Sequence, residues 1–459
     1  MPIRRLFVAN RGEIALRILR SARAMGIETV LGVSAADREG AGPDAADRVV
    51  VLGPAPSAQS YLDARLIVHA ARATGCDALH PGYGFLSEKP ELARLCEEEG
   101  IAFVGPRPET IEALGDKMSA RAMAIAAGVP TVPGTDHIAD IASARKAAAD
   151  LGYPVVMKAS AGGGGRGMFK AATEAELDAS FERASREAQA AFGDNRLYME
   201  RFVEAARHVE VQIVGDGEGG VLHFGERDCS VQRRYQKLIE EAPASAMPDA
   251  LRARLHEAAI RICAHARYRN AGTVEFLYDV ARQDIYFIEV NSRIQVEHPV
   301  SEEITGIDLI ACQLKVAGGE ALGLTQADIR PSGHAIEVRI NAEDPFADFR
   351  PSPGRITGWE PPRGPGVRLD SHARAGYLVP PFYDSMIGKL IVHGHDRAQA
   401  IDRLLQAIAA FRLEGPRTTL PLAARILDHP DFRANTITTR WLEDRVLPGF
   451  AATAPAADA

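Results

Sequence analysis

From Glu289 to Glu297 every second residue is polar: Glu289, Asn291, Arg293, Gln295 and Glu297, with Val290, Ser292, Ile294 and Val296 between them. A strand sends successive side chains to opposite faces, so an extended segment puts the five polar groups on one face and the mostly apolar set behind. At about 3.3 Å per residue such a row is roughly 27 Å long. Its first end offers a carboxylate and an amide oxygen, hard ligands that suit Mg²⁺. Its second end offers a guanidinium beside an amide and a carboxylate, a set for a small planar anion that must lose a proton. The same alternation also fits the half-solvated edge of an antiparallel sheet, and other segments must decide between the two.

Residues 273–278 and 284–289 read as a hairpin leading into that row, which brings Glu275 and Glu289 onto neighbouring strands. Adjacent carboxylates repel unless a cation sits between them, so the pair points to a metal. Upstream, Tyr153-Pro-Val-Val-Met-Lys158 reads as a strand, followed by Ala161-Gly-Gly-Gly-Gly-Arg-Gly167 and a second strand from Met168. Residues 162–167 match GxGxxG, but a strand rather than a helix follows, so this is not a dinucleotide-binding turn. Strand, glycine loop, strand is the layout of a flap over phosphates, where bare backbone N–H groups approach the anion. A strand over 197–203 ends at a domain hinge. Residues 208–213 alternate, so His208 shares a face with Glu210 and Gln212, and 226–237 is unusually charged.

Nearer the start, apolar strands at 6–9, 29–33, 78–80 and 101–104 alternate with helical stretches, the pattern of a doubly wound parallel sheet. Asn10 with Glu13 three residues on resembles a capping box. Ala9-Asn-Arg-Gly-Glu13 lacks the glycine fingerprint, so this domain does not bind NAD. Beyond residue 330, Glu337 and Arg339 share the polar face of an alternating strand, 391–392 is a late strand, and 397–411 reads as an amphipathic helix. Net charge is -8 with no dense basic block, which argues against nucleic acid. No apolar run approaches ~18 residues, so no membrane span is expected, and the N-terminal apolar run is too short for a signal peptide. A cytoplasmic protein is expected. Cys76, Cys96, Cys229, Cys263 and Cys312 are widely spaced with no CxxC pair, indicating neither zinc nor a disulfide framework.

With these pieces in order, the chain resembles biotin carboxylase, a member of the ATP-grasp ligases. The resemblance is carried by Ala9-Asn-Arg-Gly-Glu-Ile-Ala-Leu-Arg-Ile-Leu19, His80-Pro-Gly-Tyr-Gly-Phe-Leu-Ser-Glu88, the glycine loop, Asn291-Ser-Arg-Ile-Gln-Val-Glu-His-Pro299, Arg339-Ile-Asn-Ala-Glu-Asp344 and Tyr383-Asp-Ser-Met-Ile-Gly-Lys389. It implies an α/β fold: a doubly wound parallel-sheet domain over 1–115, an ATP-grasp domain over 116–330 with a lid over about 132–203, a mixed α+β domain over 331–446, and a disordered tail over 447–459.

The reaction implied is ATP, bicarbonate and biotin giving ADP, phosphate and carboxybiotin, through carboxyphosphate. The resemblance assigns the nucleotide to Lys117, Lys158, His208, Tyr235 and Glu275 and to Glu200, Arg201, Phe202 and Val203, with Gly164 and Gly165 over the phosphates. It assigns Mg²⁺ or Mn²⁺, at two sites, to Glu275, Glu289 and Asn291. It assigns bicarbonate to Lys237, Arg293, Gln295 and Val296, proton removal to Glu297, and biotin to Arg339 and Tyr83. Arg293, Glu297 and Arg339 are the implied catalytic residues. Tyr235 stands where the family commonly has His, Ala161 where a further glycine is common, and Pro365 where an interface aromatic is expected. The family implies a homodimer, and biotin on a separate carrier protein that works with carboxyltransferase subunits, as in acetyl-CoA carboxylase and fatty acid biosynthesis. The alternatives are another ATP-grasp carboxylate ligase or a non-catalytic nucleotide-binding protein. The sequence leaves the final carboxyl acceptor open.

Overall fold

The structure, a computed structural model, describes residues 2–135, 137–159 and 168–450. Five parallel strands open the chain: β1 (Arg5–Val8), β2 (Glu28–Ser34), β3 (Arg48–Gly53), β4 (Ala78–His80) and β5 (Ala102–Phe103), in the order β3-β2-β1-β4-β5. Side-chain alternation covers both faces. Leu6 and Val8 pack against Ile14, Ile18 and Leu19 of helix Gly12–Ala24, whereas Phe7 packs against Ile67, Val68 and Ala71 of helix Ala64–Ala73. This is the expected doubly wound sheet.

The expected capping box is not formed. Arg11 is the N-cap residue, in an extended conformation with no side-chain cap. Asn10 is buried, and its amide donates to the carbonyls of Pro81 (2.6 Å) and Tyr83 (2.8 Å), so it ties the β1 and β4 loops together instead. Glu13 turns inward, where it accepts from the Tyr83 hydroxyl and pairs with Lys389 at 3.2 Å.

A small antiparallel sheet follows: β6 (Val155–Ala159), β7 (Met168–Ala171) and β8 (Leu197–Arg201), in the order β7-β6-β8. The glycine loop joining β6 to β7, with Gly164 and Gly165, lies outside the described residues.

The largest element is one antiparallel sheet of eight strands. It contains β9 (Ala206–Asp216), β10 (Val221–Arg233), β11 (Gln236–Ala242), β12 (Arg269–Asp279), β13 (Asp284–Asn291), β14 (His334–Asn341) and strands Val367–Ser371 and Met386–Gly394. Their order is β13-β12-β9-β10-β11-β14, then Met386–Gly394, then Val367–Ser371. The expected hairpin is β12–β13, and Glu275 faces Glu289 in its register.

The row beyond it is not one strand. β13 ends at Asn291, residues 292–297 turn, and helix His298–Thr305 begins with Pro299 in its first turn. The turn buries Ile294 and presents the Val296 carbonyl to Lys389 Nζ at 2.7 Å. The polar groups therefore converge around a bend, and the roughly 27 Å extended row is overturned.

The helix expected at 397–411 spans Arg397–Ala410 and is capped by Asp396. Where a disordered tail was expected from 447, helix Leu447–Phe450 is formed and Phe450 stacks on Phe346 at 4.6 Å, because an aromatic with an apolar partner gains by burial. Residues 451–459 lie outside the described residues. All five cysteines are free thiols and buried, and among the described residues no helix is long and apolar enough to cross a membrane.

Glu241 joins three elements: β11, His334 of β14 (2.8 Å) and Arg397 of helix Arg397–Ala410 (2.6 and 3.1 Å). Burial disfavours its charge, but His334 and Arg397 outweigh that and hold the carboxyl down at about 2. A lowered native value stabilises the fold above the ordinary carboxylate range and loses that contribution as pH falls toward about 2. Glu241→Gln should cost about 2 kcal/mol at pH 7, because it removes the charge that engages the partly buried Arg397 guanidinium and His334. Urea unfolding checks this: the gap between wild type and variant should close progressively below pH ~4. A gap that holds constant down to that range would contradict the assignment.

Candidate active site

Lys237 of β11 is the centre of the site. Its Nζ meets Glu210 at 2.5 Å, Glu297 at 2.6 Å and Glu275 at 2.9 Å. Burial alone would neutralise this ammonium, yet the three carboxylates hold its pKa well above the usual lysine range. These partners come from β9, the turn after β13, and β12. The sheet order thus gathers groups that are distant in sequence.

Glu297 is shared between two cations. One oxygen takes Lys237, and the other accepts from Arg339 Nη2 at 3.0 Å. Burial opposes its charge, but Lys237 first, then Arg339 and Arg227, hold its carboxyl below the usual range. Arg339 also donates to Glu240 through Nε at 2.7 Å. Arg293 pairs with Glu88 at 3.1 Å and donates to Asn291 Oδ1 at 3.0 Å.

The fully buried Arg227 forms the floor. It donates to Glu210 (2.7 Å), Gln212 (2.8 Å), Thr273 (3.1 Å), Ser301 (3.1 Å) and Gln295 Oε1 (2.8 Å). Gln295 Nε2 in turn donates to Glu275 Oε1 at 2.9 Å, so both ends of this amide are engaged by protein.

The oxygen donors for a cation stand beside this cluster. Glu275 Oε1 accepts from Lys237, Asn291 and Gln295, each at 2.9 Å, and Oε2 faces His208 Nε2 at 3.0 Å. Glu289 is partly exposed, with Lys117 facing it at 3.9 Å. Burial and the Glu275 charge push the Glu289 carboxyl up. Two facing carboxylates and an amide oxygen form a hard donor set that fits Mg²⁺. His208, Glu210 and Glu275 also bring ligand atoms within 4.8 Å of one another. Burial opposes the His208 charge, but the neighbouring Glu275 raises its pKa to about 9; Mg²⁺ is a hard cation that takes oxygen rather than imidazole ligands. The oxygen set is the better cation site.

At the far edge, Lys158 of β6 pairs with Glu200 of β8 at 2.5 Å, and Arg121 reaches the other Glu200 oxygen at 3.3 Å. Lys117 begins helix Lys117–Ala126. The backbone N–H groups of Arg201 and Phe202 donate to Pro133 and Pro154, both at 2.9 Å, and Val203 is buried. Tyr235 sits at the β10–β11 turn and is 57% exposed. It and Arg234 both adopt left-handed backbone (φ 66 and 47), the twist that a two-residue hairpin turn requires. Tyr83 does not point freely into the site, because its hydroxyl is bonded to Glu13.

Glu88, Glu210, Arg227 and Glu240 complete the cluster but carried no sequence assignment. The alternation over 208–213 places Glu210 beside His208, Arg227 lies in the unusually charged segment 226–237, and Glu88 closes the motif that begins at His80; Glu240 had no such signal.

An antiparallel sheet bearing these carboxylates, with a small sheet bringing Lys158, defines an ATP-dependent ligase of the ATP-grasp class. Family models match along the chain: the biotin carboxylase N-terminal domain over residues 2–111, the ATP binding domain of the carbamoyl-phosphate synthase L chain over 116–325, and the biotin carboxylase C-terminal domain over 337–444. Biotin carboxylase of Nostoc sp. is 48% identical over 445 residues, covering 97% of this chain and 99% of that protein. Biotin carboxylase 1 of Bacillus subtilis is 48% identical over 442 residues, covering 96% and 98%. The biotin carboxylase domain dimer of Hydrogenobacter thermophilus 2-oxoglutarate carboxylase, solved with MgADP, ADP and bicarbonate, superposes with a TM-score of 0.91 at 44% identity, covering 96% of this chain and 98% of that one. The chain belongs to the biotin carboxylase family.

Proposed function

We propose that this chain carboxylates biotin held on a separate carrier protein, using ATP and bicarbonate, as the first half-reaction of an acetyl-CoA or related carboxylase. The observation that carries the reading is Glu297, a carboxylate placed between Lys237 and Arg339.

Lys117, Lys158, His208 and the backbone of residues 200–203 hold the nucleotide, with Tyr235 beside it. Glu275, Glu289 and Asn291 would hold Mg²⁺ or Mn²⁺, which neutralises phosphate charge during phosphoryl transfer. Bicarbonate enters against Lys237, Arg293, Gln295 and the Val296 backbone. An incoming anion competes for the cations that keep Glu297 acidic, so the basicity of Glu297 rises as the substrate binds. Glu297 then takes the bicarbonate proton, and the freed oxygen attacks the γ-phosphorus with ADP leaving. Carboxyphosphate breaks down to CO₂ and phosphate, the phosphate removes the biotin N1 proton, and the N1 electron pair forms the bond to CO₂. Arg339 stabilises the negative charge that develops on biotin, with Tyr83 nearby. In support of a carrier in trans, the one lysine in a Met-Lys context, Lys158, is tied to Glu200 inside the small sheet and is not available for biotin attachment. A homodimer agrees with the dimeric Hydrogenobacter relative.

ATP hydrolysis measured with and without bicarbonate and free biotin tests the reaction. Cleavage should depend on bicarbonate and accelerate with biotin, and bicarbonate-independent cleavage would sink the reading. Intact-mass measurement after expression with an active biotin ligase tests the carrier: biotin covalently attached to this chain would overturn it.

A further inference from the structure

We infer that Glu337 is a positioning residue of this site: it is held as a neutral carboxylic acid that donates to Glu240, and through Glu240 it fixes the guanidinium of Arg339. The inference rests on the proposed role of Arg339 toward biotin.

Glu240 of β11 lies directly opposite Glu337 of β14 in the antiparallel register, so the two side chains share a face. Both residues are 0% exposed. Glu240 Oε1 is engaged by Arg339, from Nε at 2.7 Å and Nη2 at 2.6 Å. Glu240 Oε2 and both oxygens of Glu337 have no hydrogen-bond partner among the described residues. Three buried carboxylate oxygens without a donor, on two facing side chains, are too costly to leave as two anions.

The neighbouring cation does not solve this. Lys389 faces Glu337 electrostatically, but its Nζ turns to the Val296 carbonyl at 2.7 Å and to Glu13 at 3.2 Å, and its third N–H makes no hydrogen bond to either Glu337 oxygen. A single proton does solve it, since a carboxylic acid donates to a facing carboxylate and satisfies both groups. Glu240 has the guanidinium and therefore keeps the charge. Glu337 has no donor and therefore takes the proton. In agreement, burial pushes the Glu337 carboxyl far up, with the Glu240 charge adding to it against Lys389.

Arg339 is then gripped from one side. Glu240 and Glu297 occupy Nε and Nη2, which leaves Nη1 outside those contacts to meet the substrate. If Glu337 were ionised, its charge would repel Glu240 and loosen that grip.

Infrared difference spectroscopy of the full chain at neutral pH, wild type against Glu337→Gln, reads the proton directly. The wild type should show the C=O stretch of an un-ionised carboxylic acid, sensitive to D₂O, that the variant lacks. Spectra without that difference overturn the inference. Kinetics with free biotin read the positioning. Glu337→Ala should raise KM for biotin about tenfold with a smaller effect on kcat, and Glu337→Gln should restore it to within about twofold because its amide N–H replaces the acid O–H. Equal loss in both variants overturns the positioning role. Should Glu337→Ala fail to fold, the infrared comparison with Glu337→Gln decides. Unchanged biotin carboxylation in Arg339→Ser would instead overturn the functional reading and leave the infrared result standing.

Discussion

Glu289→Gln should lower turnover by about 10²–10³-fold at saturating ATP, the scale on which enzymes lose a preorganised electrostatic group. Glu289 is the informative position because its contacts are loose. The lysine that faces it stands 3.9 Å away, so the substitution removes the proposed cation ligand with little disturbance to the rest of the site. Glu275→Gln should be at least as damaging, for a second reason: Lys237, Asn291, Gln295 and His208 all converge on that carboxylate. The two defects should separate on titration with Mg²⁺. Glu289→Gln should be partly rescued by excess cation, because only affinity and placement are lost, whereas Glu275→Gln should not. Full activity of Glu289→Gln at millimolar Mg²⁺ would remove Glu289 from the metal site.

Glu297→Gln should abolish bicarbonate-dependent ATP cleavage, whereas Arg339→Ser should harm biotin carboxylation far more than ATP cleavage measured without biotin. The two side chains touch each other at 3.0 Å, which makes the separation a demanding test. Under the proposed roles, Gln at 297 cannot accept the bicarbonate proton, so the first chemical step fails whatever acceptor is present. Loss of Arg339 leaves Lys237 on Glu297, and the base stays paired. If both variants lose both activities in equal proportion, the assigned division of labour is wrong.

The first sheet and the Glu275–Glu289 pair were legible in the sequence for local reasons. Strand–helix alternation specifies a parallel sheet, and two alternating segments joined by a short turn fix their own register. The polar row was read too far because its alternation continues past the end of β13. His298-Pro299, a helix-starting signal, marks the bend that period-two reading ignores. The burial of Glu240 and Arg227 was invisible for a different reason. Glu240 lies on β11, which pairs with β14 across nearly a hundred residues, whereas Arg227 lies on β10 between its sequence neighbours β9 and β11 and is covered by Gln295 and Ser301 from beyond β13; in sequence a buried charge at either place looks like a solvated one. Lys237, the hub, entered through family resemblance, since spacing alone does not announce a lysine that three distant glutamates will surround.

Glu275, Lys237 and Arg339 stand on β12, β11 and β14 of one hydrogen-bonded sheet. Under the proposed chemistry, the point where ATP is cleaved and the point where CO₂ is captured are therefore fixed to the same rigid plate. Rotating one away from the other would tear the main-chain bonds between β11 and β14. A small, uncharged and quickly lost intermediate crosses a gap of constant width. Under that same chemistry, loosening the ladder at β11–β14 should appear as CO₂ escape, with ATP consumed in excess of biotin carboxylated.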